Sequence, residues 1–334
     1  MDFNNFVGNE SVKSQVISLF ENNKISHAMM IEGAKGLGKR TFAKIIAQAI
    51  VCENPSGGFA CNKCLNCKKA EKEIHPDIIY PEKSGVLQGY SITTVRKIRE
   101  DTYIIPNEAS KKVYIFTDID NMSIPAQNAL LKVLEEPPKN VVLILTCTSA
   151  SSILPTIRSR AQIFSLKPVS TNDIITFLHT NYAENYKENG VEKVKQIANA
   201  SNGNIGIAVD FLISSDFGEL IDITNKLAKS IVNRKEFDIL SLTAKISENR
   251  QIFSFILGFL KSFLRDSLVY SFASEDLSSH NEMVINLSEN LSTKQILNLI
   301  DVTDKSKDYL DKNVNLSILS SYFCSNLHRI ASMD

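Results

Sequence analysis

A glycine-rich segment, Gly33-Ala-Lys-Gly36-Leu-Gly38-Lys39, lies between the apolar run His27–Glu32 and a stretch with apolar residues at helical spacing. This order predicts a strand, a tight turn and a helix in succession. The backbone N–H groups of such a turn can bind phosphate groups, and Lys39 can reach the β and γ phosphates of a nucleotide. The sequence therefore predicts an α/β domain with a phosphate loop formed by Gly33, Gly36, Gly38 and Lys39.

Strand-like apolar runs alternate with helical patterns through the first half of the chain. After His27–Glu32, the runs are Asp77–Glu82, Val113–Asp118 and Val141–Thr146. This alternation predicts a parallel sheet covered by helices.

Beyond about residue 167 the strand-like runs end and helical patterns continue, among them the long apolar-periodic stretches Ile252–Phe272 and Leu316–Ile330. The predicted domains are an α/β domain, a small helical domain and a separate all-helical domain, over residues 1–166, 167–214 and 215–334.

The composition excludes several classes of protein. Hydrophobic residues make up 43% of the 334 residues and charged residues 22%, so the chain can bury a core and is not disordered. The 37 Lys and Arg balance the 37 Asp and Glu, so any contact with DNA must be local or made through partners. No run reaches the length of a membrane span, and the opening residues do not resemble a secretory leader. We expect a cytoplasmic protein.

The magnesium side of the phosphate loop departs from the usual pattern. Arg40 follows Lys39, where a Ser or Thr hydroxyl normally binds Mg²⁺. Thr41 is rotated by about 100° along a helix and is not expected to replace that hydroxyl. The run Val113–Asp118 ends in Thr117-Asp118, where Asp-Glu normally binds the metal and orients water. The pattern predicts a chain without its own hydrolytic activity and leaves passive ATP binding open.

Four of the six cysteines are close together in sequence. Cys52, Cys61, Cys64 and Cys67 follow a C-x₈-C-x₂-C-x₂-C pattern. Four sulfur ligands with no vacant position are typical of structural zinc, so we expect a zinc module over about residues 52–67. His75, which is followed by a proline, is a weaker alternative ligand.

Several motifs together resemble bacterial clamp-loader AAA+ subunits of DNA polymerase III. The motifs are Phe6-Val7-Gly8, Ser26-His27-Ala28, Asn128-Ala-Leu-Leu-Lys-Val-Leu-Glu-Glu-Pro-Pro138 and Ser159-Arg160. They cover about residues 1–166, and the three-domain layout extends the resemblance more weakly to the chain end. The resemblance implies a P-loop AAA+ domain with a zinc insertion, a helical lid domain and a helical collar domain for oligomerisation.

Within that family the departures favour the ATPase-inactive, delta-prime type. Gly206 occupies the place where active subunits carry a nucleotide-contacting Arg, which adds a third loss to Arg40 and Thr117. The resemblance implies that Arg160 acts in trans as an arginine finger on the ATP of a neighbouring subunit, although Arg158 is close enough to compete for that role.

The resemblance also implies partners. They are the tau/gamma and delta subunits in a hetero-oligomer, and the sliding clamp and primed DNA through that complex during DNA replication. Two alternatives stay open, an active tau/gamma-type ATPase and a zinc-stabilised nucleic-acid-binding protein unrelated to replication.

Overall fold

The computed structural model describes residues 6–55, 59–84, 89–213, 217–272, 282–312 and 314–333. The chain forms two compact units. The first runs to Phe177 and includes Asn204–Gly206, and the second comprises Leu178–Gly203 and the chain from Ile207 onward. The chain opening, part of the cysteine segment 52–67 and the predicted boundary at residue 214 lie outside the described residues. The three-domain division stays a prediction.

The first unit contains a parallel sheet, as predicted, and the sheet has five strands. Its strands are β1 (Ala28–Glu32), β2 (Ile78–Ile79), β3 (Lys112–Phe116), β4 (Val141–Cys147) and β5 (Gln162–Ser165). The order across the sheet is β2-β3-β4-β1-β5, and each neighbouring pair is parallel. Strand β1 is central, with Met29 opposite Ile144 on one side and Gln162 on the other. Ligands of open parallel sheets bind beyond the carboxyl ends of such strands, which is where the phosphate loop begins.

Helices cover both faces of this sheet because alternate strand residues point to opposite sides. Met29 and Ile31 pack in one core cluster with Phe42, whereas Met30 packs in the other with Leu130. The helices that precede and follow the strands are α1 (Glu10–Glu21), α2 (Lys39–Val51), α3 (Leu65–Glu71), α4 (Ile92–Asp101), α5 (Ile124–Glu135) and α6 (Pro155–Arg158).

Two strands differ from the sequence prediction. The run Asp77–Glu82 forms a strand only at Ile78–Ile79, because Pro81 has no N–H to continue a ladder. Strand β5 was not predicted, since four residues with polar ends at Gln162 and Ser165 give too short an alternation. Its place is set by pairing with β1, a long-range contact.

The remaining helices run from residue 171 to the chain end. They are α7 (Thr171–Asn181), α8 (Ala183–Ala200), α9 (Ile205–Ile213), α10 (Phe217–Val232), α11 (Glu236–Ile246), α12 (Arg250–Phe272), α13 (Glu282–Asn290), α14 (Thr293–Asp311) and α15 (Leu316–Ala331). Helix α8 contains a break at Gly190, which has a φ of 75°.

Among its described residues the second unit contains helices and no strands, as predicted. Its core is aromatic. The rings of Phe217 and Phe255 contact each other, and each also contacts Phe211 and Phe259, with centroid separations of 4.0 to 6.0 Å. Across the described ranges, every helix is too short or too polar to cross a membrane.

Candidate functional site

Helix α2 carries a candidate site at each end. The phosphate loop leads into its first residue, Lys39, and the cysteine cluster begins at Cys52, directly after its last residue. Thirteen residues at 1.5 Å per residue separate the two sites by about 20 Å.

Glycines shape the phosphate loop. Gly36 and Gly38 have φ values of 90° and 82°, in the left-handed region that favours glycine. A Cβ at Gly38 would also lie 2.9 Å from the ring of Phe6. The loop backbone therefore has the tight turn that its sequence predicts, and Gly38 precedes the first turn of α2.

Lys39 is turned onto its own loop. The residue is 7% exposed, and its Nζ donates hydrogen bonds to the carbonyl oxygens of Gly33 at 2.7 Å and Ala34 at 3.0 Å. Burial lowers the pKa of Lys39, while the carboxylates of Asp118 and Asp120 act to raise it. The ammonium group is thus satisfied by backbone carbonyls and lies near two acids that follow β3.

The segment Asn204–Gly206 lies against the phosphate loop. Asn204 Nδ2 donates to the carbonyl of Lys35 at 2.5 Å, and the Gly206 N–H donates to the carbonyl of Gly36 at 3.0 Å. A Cβ at Gly36 would come within 2.2 Å of Asn204 Oδ1, so this close approach requires glycine in the loop. The sequence analysis noted Gly206 because related subunits carry an arginine there. It did not identify Asn204, which is marked in the sequence only by the nearby glycines 203 and 206.

Arg40 points away from the phosphate loop. Its side chain is 61% exposed, and its Nη2 lies 3.1 Å from Glu73 Oε2. Lys44, one turn along α2, also pairs with Glu73, which holds the pKa of that carboxyl below its usual range. Thr41 is exposed. Arg40 therefore has no hydroxyl to offer a metal, and Thr41, which has one, lies one residue beyond the usual position of the Mg²⁺ ligand.

The end of β3 is similarly altered. The N–H of Thr117 donates to the Tyr90 hydroxyl at 2.8 Å, and Thr117 offers no carboxylate. Asp118 pairs with Lys83 at 2.7 Å, and its N–H donates to the Thr146 hydroxyl at 3.0 Å. Sequence reasoning missed Lys83, Tyr90 and Thr146, because nothing in the spacing links these distant residues to β3.

The two candidate finger arginines follow or end the short helix α6. Arg160 is partly exposed; its Nη1 donates to the Thr156 carbonyl at 3.0 Å, and its Nη2 lies 3.1 Å from Glu135 Oε1. Arg158 differs, because its Nε is buried and has no hydrogen-bond partner among the described residues. Both arginines lie in the first unit, and the structure does not bring either of them to the phosphate loop of the same chain by any hydrogen bond or ion pair between described residues.

The four cysteines of the cluster come together in space. The sulfur atoms of Cys52, Cys61, Cys64 and Cys67 all lie within 4.8 Å of one another, and those of Cys61 and Cys67 are 3.9 Å apart. Tetrahedral zinc with bonds of about 2.3 Å to sulfur needs sulfur atoms about 3.8 Å apart. The cluster therefore has the donor set and spacing of a four-thiolate metal site. His75 is outside it, and its Nδ1 accepts the N–H of Asp77 at 3.0 Å.

Backbone N–H groups point at three of the sulfurs. The N–H groups of Cys61, Cys64 and Cys67 donate to the sulfurs of Cys52, Cys61 and Cys64 at 3.2, 3.3 and 3.4 Å. The N–H groups of Lys63 and Cys64 lower the pKa of Cys61 to about 6, whereas burial raises the pKa of Cys52 and of Cys67. Such donors stabilise thiolates, the form that binds metal.

Two buried amides hold the cluster on α2. Gln48 Nε2 donates to the carbonyl of Cys67 and to Asn62 Oδ1, both at 3.2 Å. Asn66 Nδ2 donates to the carbonyl of Val51 at 3.1 Å. These bonds fix the short helix α3, which contains Cys67, against the end of α2, which Cys52 follows.

Comparison with known proteins gives a consistent picture. Residues 8–170 match the family model described as DNA polymerase III, delta subunit. The chain is 27% identical to DNA polymerase III subunit delta' of Bacillus subtilis, over 90% of this chain and 91% of that protein. It is also 27% identical to subunit tau of the same organism, over 91% of this chain but 57% of that protein. The chain thus spans a little more than half the length of the tau relative.

Among solved structures, a DNA polymerase III gamma subunit-related protein from Thermotoga maritima has a TM-score of 0.44 and 14% identity, over 95% of this chain and 99% of that one. The family match covers the sheet, the phosphate loop and the cysteine cluster. Together these matches support the identification of the chain as a bacterial DNA polymerase III clamp-loader AAA+ subunit.

Proposed function

We propose that this chain is a delta-prime-type clamp-loader subunit that does not hydrolyse ATP itself. The observation that carries the proposal is Arg40, which replaces the metal-binding hydroxyl and turns outward to Glu73. Thr117 replaces the second metal ligand at the end of β3. Hydrolysis of a nucleoside triphosphate depends on a positioned Mg²⁺, so a site without both groups lacks the charge stabilisation that the reaction requires.

The contacts within the phosphate loop oppose passive nucleotide binding. Lys39 is hydrogen-bonded to the loop carbonyls of Gly33 and Ala34, and Asn204 caps the carbonyl of Lys35. A nucleotide would have to draw Lys39 from these partners. We therefore assign the phosphate loop, including Gly36 and Gly38, a structural role, with weak ATP binding as the most that it retains.

Arg160 is the residue proposed to act on a neighbour. It is partly exposed and held by Glu135 and the Thr156 carbonyl, which orders its guanidinium before a partner arrives. An arginine supplied in trans neutralises the charge that develops on the transferred phosphoryl group. In this proposal the chain assembles with tau/gamma and delta subunits in the cytoplasm, and the complex loads the sliding clamp on primed DNA.

We further propose that the cysteine cluster holds one structural zinc ion. Cys52, Cys61, Cys64 and Cys67 supply four sulfurs, which leaves no open position for a substrate. When bound, zinc would join Cys52, at the end of α2, to the segment that contains Cys61, Cys64 and Cys67. The role of the chain's own residues is to present those sulfurs, and Gln48 and Asn66 fix their backbone.

Reconstitution tests the proposed function. The chain is mixed with tau/gamma and delta subunits, and ATP hydrolysis and complex formation are measured separately. Arg160→Ala should reduce the hydrolysis rate by about 10³-fold while the complex still forms, because only the transition state uses the finger. Arg158→Ala is the comparison variant. If Arg158→Ala lowers the rate and Arg160→Ala does not, the finger is Arg158.

Hydrolysis by the isolated chain tests the inactive assignment. The chain alone should show no Mg²⁺-dependent turnover above background. Turnover that is abolished by Lys39→Ala but kept by Lys35→Ala, an exposed lysine of the same loop, would contradict the assignment.

The second candidate is an active ATPase of the tau/gamma type. It is favoured by the match to tau, which is as strong in identity as the match to delta'. In that case the turnover just described would be present in the isolated chain, so the same assay separates the two candidates.

A further inference from the structure

A basic cavity lies on the second unit, between the end of α10 and the start of α11. Its volume is about 400 Å³, and all its lining residues belong to that unit. The lining residues are Lys226, Lys229, Ser230, Asn233, Lys235, Phe237, Asp238, Ser241 and Leu242. An inference from this cavity goes beyond the proposed function and does not depend on it, because no residue of the phosphate loop or the cysteine cluster takes part.

The charge of the cavity is positive although the whole chain is neutral. Three lysines face one acid, Asp238, which pairs with Lys235 at 3.8 Å. Lys226 and Lys229 are exposed, lie three residues apart on one face of α10 and make no ion pair with any described residue. Two lysines are therefore available to an anionic ligand.

An aromatic ring stands beside these lysines. Phe237 is 79% exposed, the most exposed of the large hydrophobic side chains in the described ranges. An aromatic ring that is open on its face can stack on an unpaired base, and lysines beside it can bind the phosphates on either side. The amide of Asn233 and the hydroxyl of Ser241 add hydrogen-bonding groups to the same cavity.

We propose that this cavity binds single-stranded nucleic acid, with Lys226, Lys229 and Lys235 on the phosphates and the Phe237 ring against a base. A duplex fits less well, because its bases are stacked on each other and leave no face for the phenylalanine. An acidic peptide could use the lysines but would not need an exposed ring. The involvement of Phe237 is thus what distinguishes single strands from other polyanions.

The absence of tryptophan from the chain allows a direct test. In the F237W variant of the full chain, the only tryptophan lies in the cavity, and base stacking should quench its fluorescence. The ligand is an oligomer of about 15 thymidines. The matched control is L240W, because Leu240 is 50% exposed on the same helix but does not line the cavity. Quenching in F237W and not in L240W is the expected result.

The lysines are tested in the F237W background. Adding K226A and K229A should weaken binding about ten-fold and reduce the slope of log affinity against log salt by about 1.4, since each phosphate contact on a single strand contributes about 0.7. The control pair is K187A and K195A, exposed lysines of α8 outside the cavity. This pair removes the same charge and should leave affinity unchanged.

Several results would overturn the proposal. They are no binding of the oligomer, equal quenching in F237W and L240W, or equal weakening by the two lysine pairs. Equal binding of a duplex of the same length would also reject the single-strand assignment. A polyglutamate peptide that competes as well as the oligomer would identify the cavity as a site for acidic protein segments instead.

Discussion

The two ends of α2 differ in how many of the usual ligands each candidate site has. At its C-terminal end, four sulfurs converge, backbone N–H groups point at three of them, and two buried amides hold the backbone. At its N-terminal end the loop keeps its glycines and Lys39, but the metal side has Arg40 and Thr117 in place of ligands. A loop can therefore have the backbone of a phosphate site without the usual metal ligands, because glycine geometry and side-chain ligands are specified by different residues.

Removing a ligand from the complete end should have the largest effect. Cys67→Ser should abolish binding of one zinc per chain and lower the free energy of unfolding by several kcal/mol, because a structural metal site binds and folds together. Cys67 is 1% exposed, so the control is Cys324→Ser, which alters another buried cysteine outside the cluster. Elemental analysis and chemical denaturation measure the two effects. A folded wild-type chain without metal, or equal losses in both variants, would contradict the metal assignment.

The carboxylate of Asp77 is a second site in the first unit at which every expected partner is present. It tests how much a fully hydrogen-bonded buried group stabilises this unit without a metal. Asp77 is fully buried and accepts the N–H groups of Asn107, Glu108 and Ala109 and the Asn107 amide, at 2.7 to 3.2 Å. Burial acts to raise its pKa, but these donors prevail and the pKa is lowered. Asp77→Asn should cost about 3 kcal/mol of unfolding free energy at pH 7, since an amide cannot accept all four bonds.

The pH dependence of this loss has a definite sign. A carboxyl group with a lowered pKa stabilises the fold above its unfolded value of about 3.9, and this stabilisation is lost as the pH falls through the folded pKa. The difference between the wild type and Asp77→Asn should therefore shrink as the pH falls below about 4. Denaturation at several pH values measures it. The exposed Asp210, changed to Asn, should show little difference at any pH.

Rebuilding the incomplete end should have a smaller effect. The double change Arg40→Thr and Thr117→Asp restores the hydroxyl and the carboxylate, so Mg²⁺ should now strengthen nucleotide binding about ten-fold. Binding of a fluorescent ATP analogue with and without Mg²⁺ measures this gain. The control is Arg40→Ala with Thr117→Ala, which removes the same side chains without adding ligands. An equal response of both variants to Mg²⁺ would show that the missing ligands are not what separates the two ends of α2.

The smallest effect on stability is expected at Glu73, which links the cysteine cluster to the N-terminal half of α2. Glu73 follows α3 of the cysteine cluster and pairs with Arg40 and Lys44 of α2. Glu73→Gln should lower the free energy of unfolding by only about 0.5 kcal/mol, because the pair is partly exposed and screened by solvent. The lowered pKa of Glu73 means that this contribution is present at neutral pH and is lost below about pH 4. Thermal unfolding measures the loss. The control is Glu108→Gln, which breaks the pair of Glu108 with Lys69, an ion pair that does not involve α2.

The sequence predicts those parts of the fold that local patterns specify. Strands β1, β3 and β4 are continuous apolar runs, and each lies within a residue or two of its predicted place. Strand β5 is not predictable in this way, because Gln162–Ser165 is short and polar at its ends and becomes a strand only by pairing with β1. The same holds for β2, where the apolar pattern continues but Pro81 ends the ladder.

The candidate sites divide along the same line. The cysteines and glycines can be predicted because each group is close together in sequence. The departure at Arg40 can be recognised because the phosphate-loop motif specifies a residue type at that position. Lys83, Tyr90, Thr146 and Asn204 are not visible. They reach the sites from distant parts of the chain, and only the fold places them there.

The close approach of Gly206 to Gly36 has a consequence for how this lineage can change. A Cβ at position 206 would lie 2.9 Å from the Cα of Gly36 and 3.0 Å from its carbonyl oxygen, so backbone would have to move before any side chain could be accommodated. An arginine at position 206 would therefore need a second change that reshapes the loop. A mutational path from glycine to any larger residue at position 206 therefore has to pass first through a change in the phosphate loop.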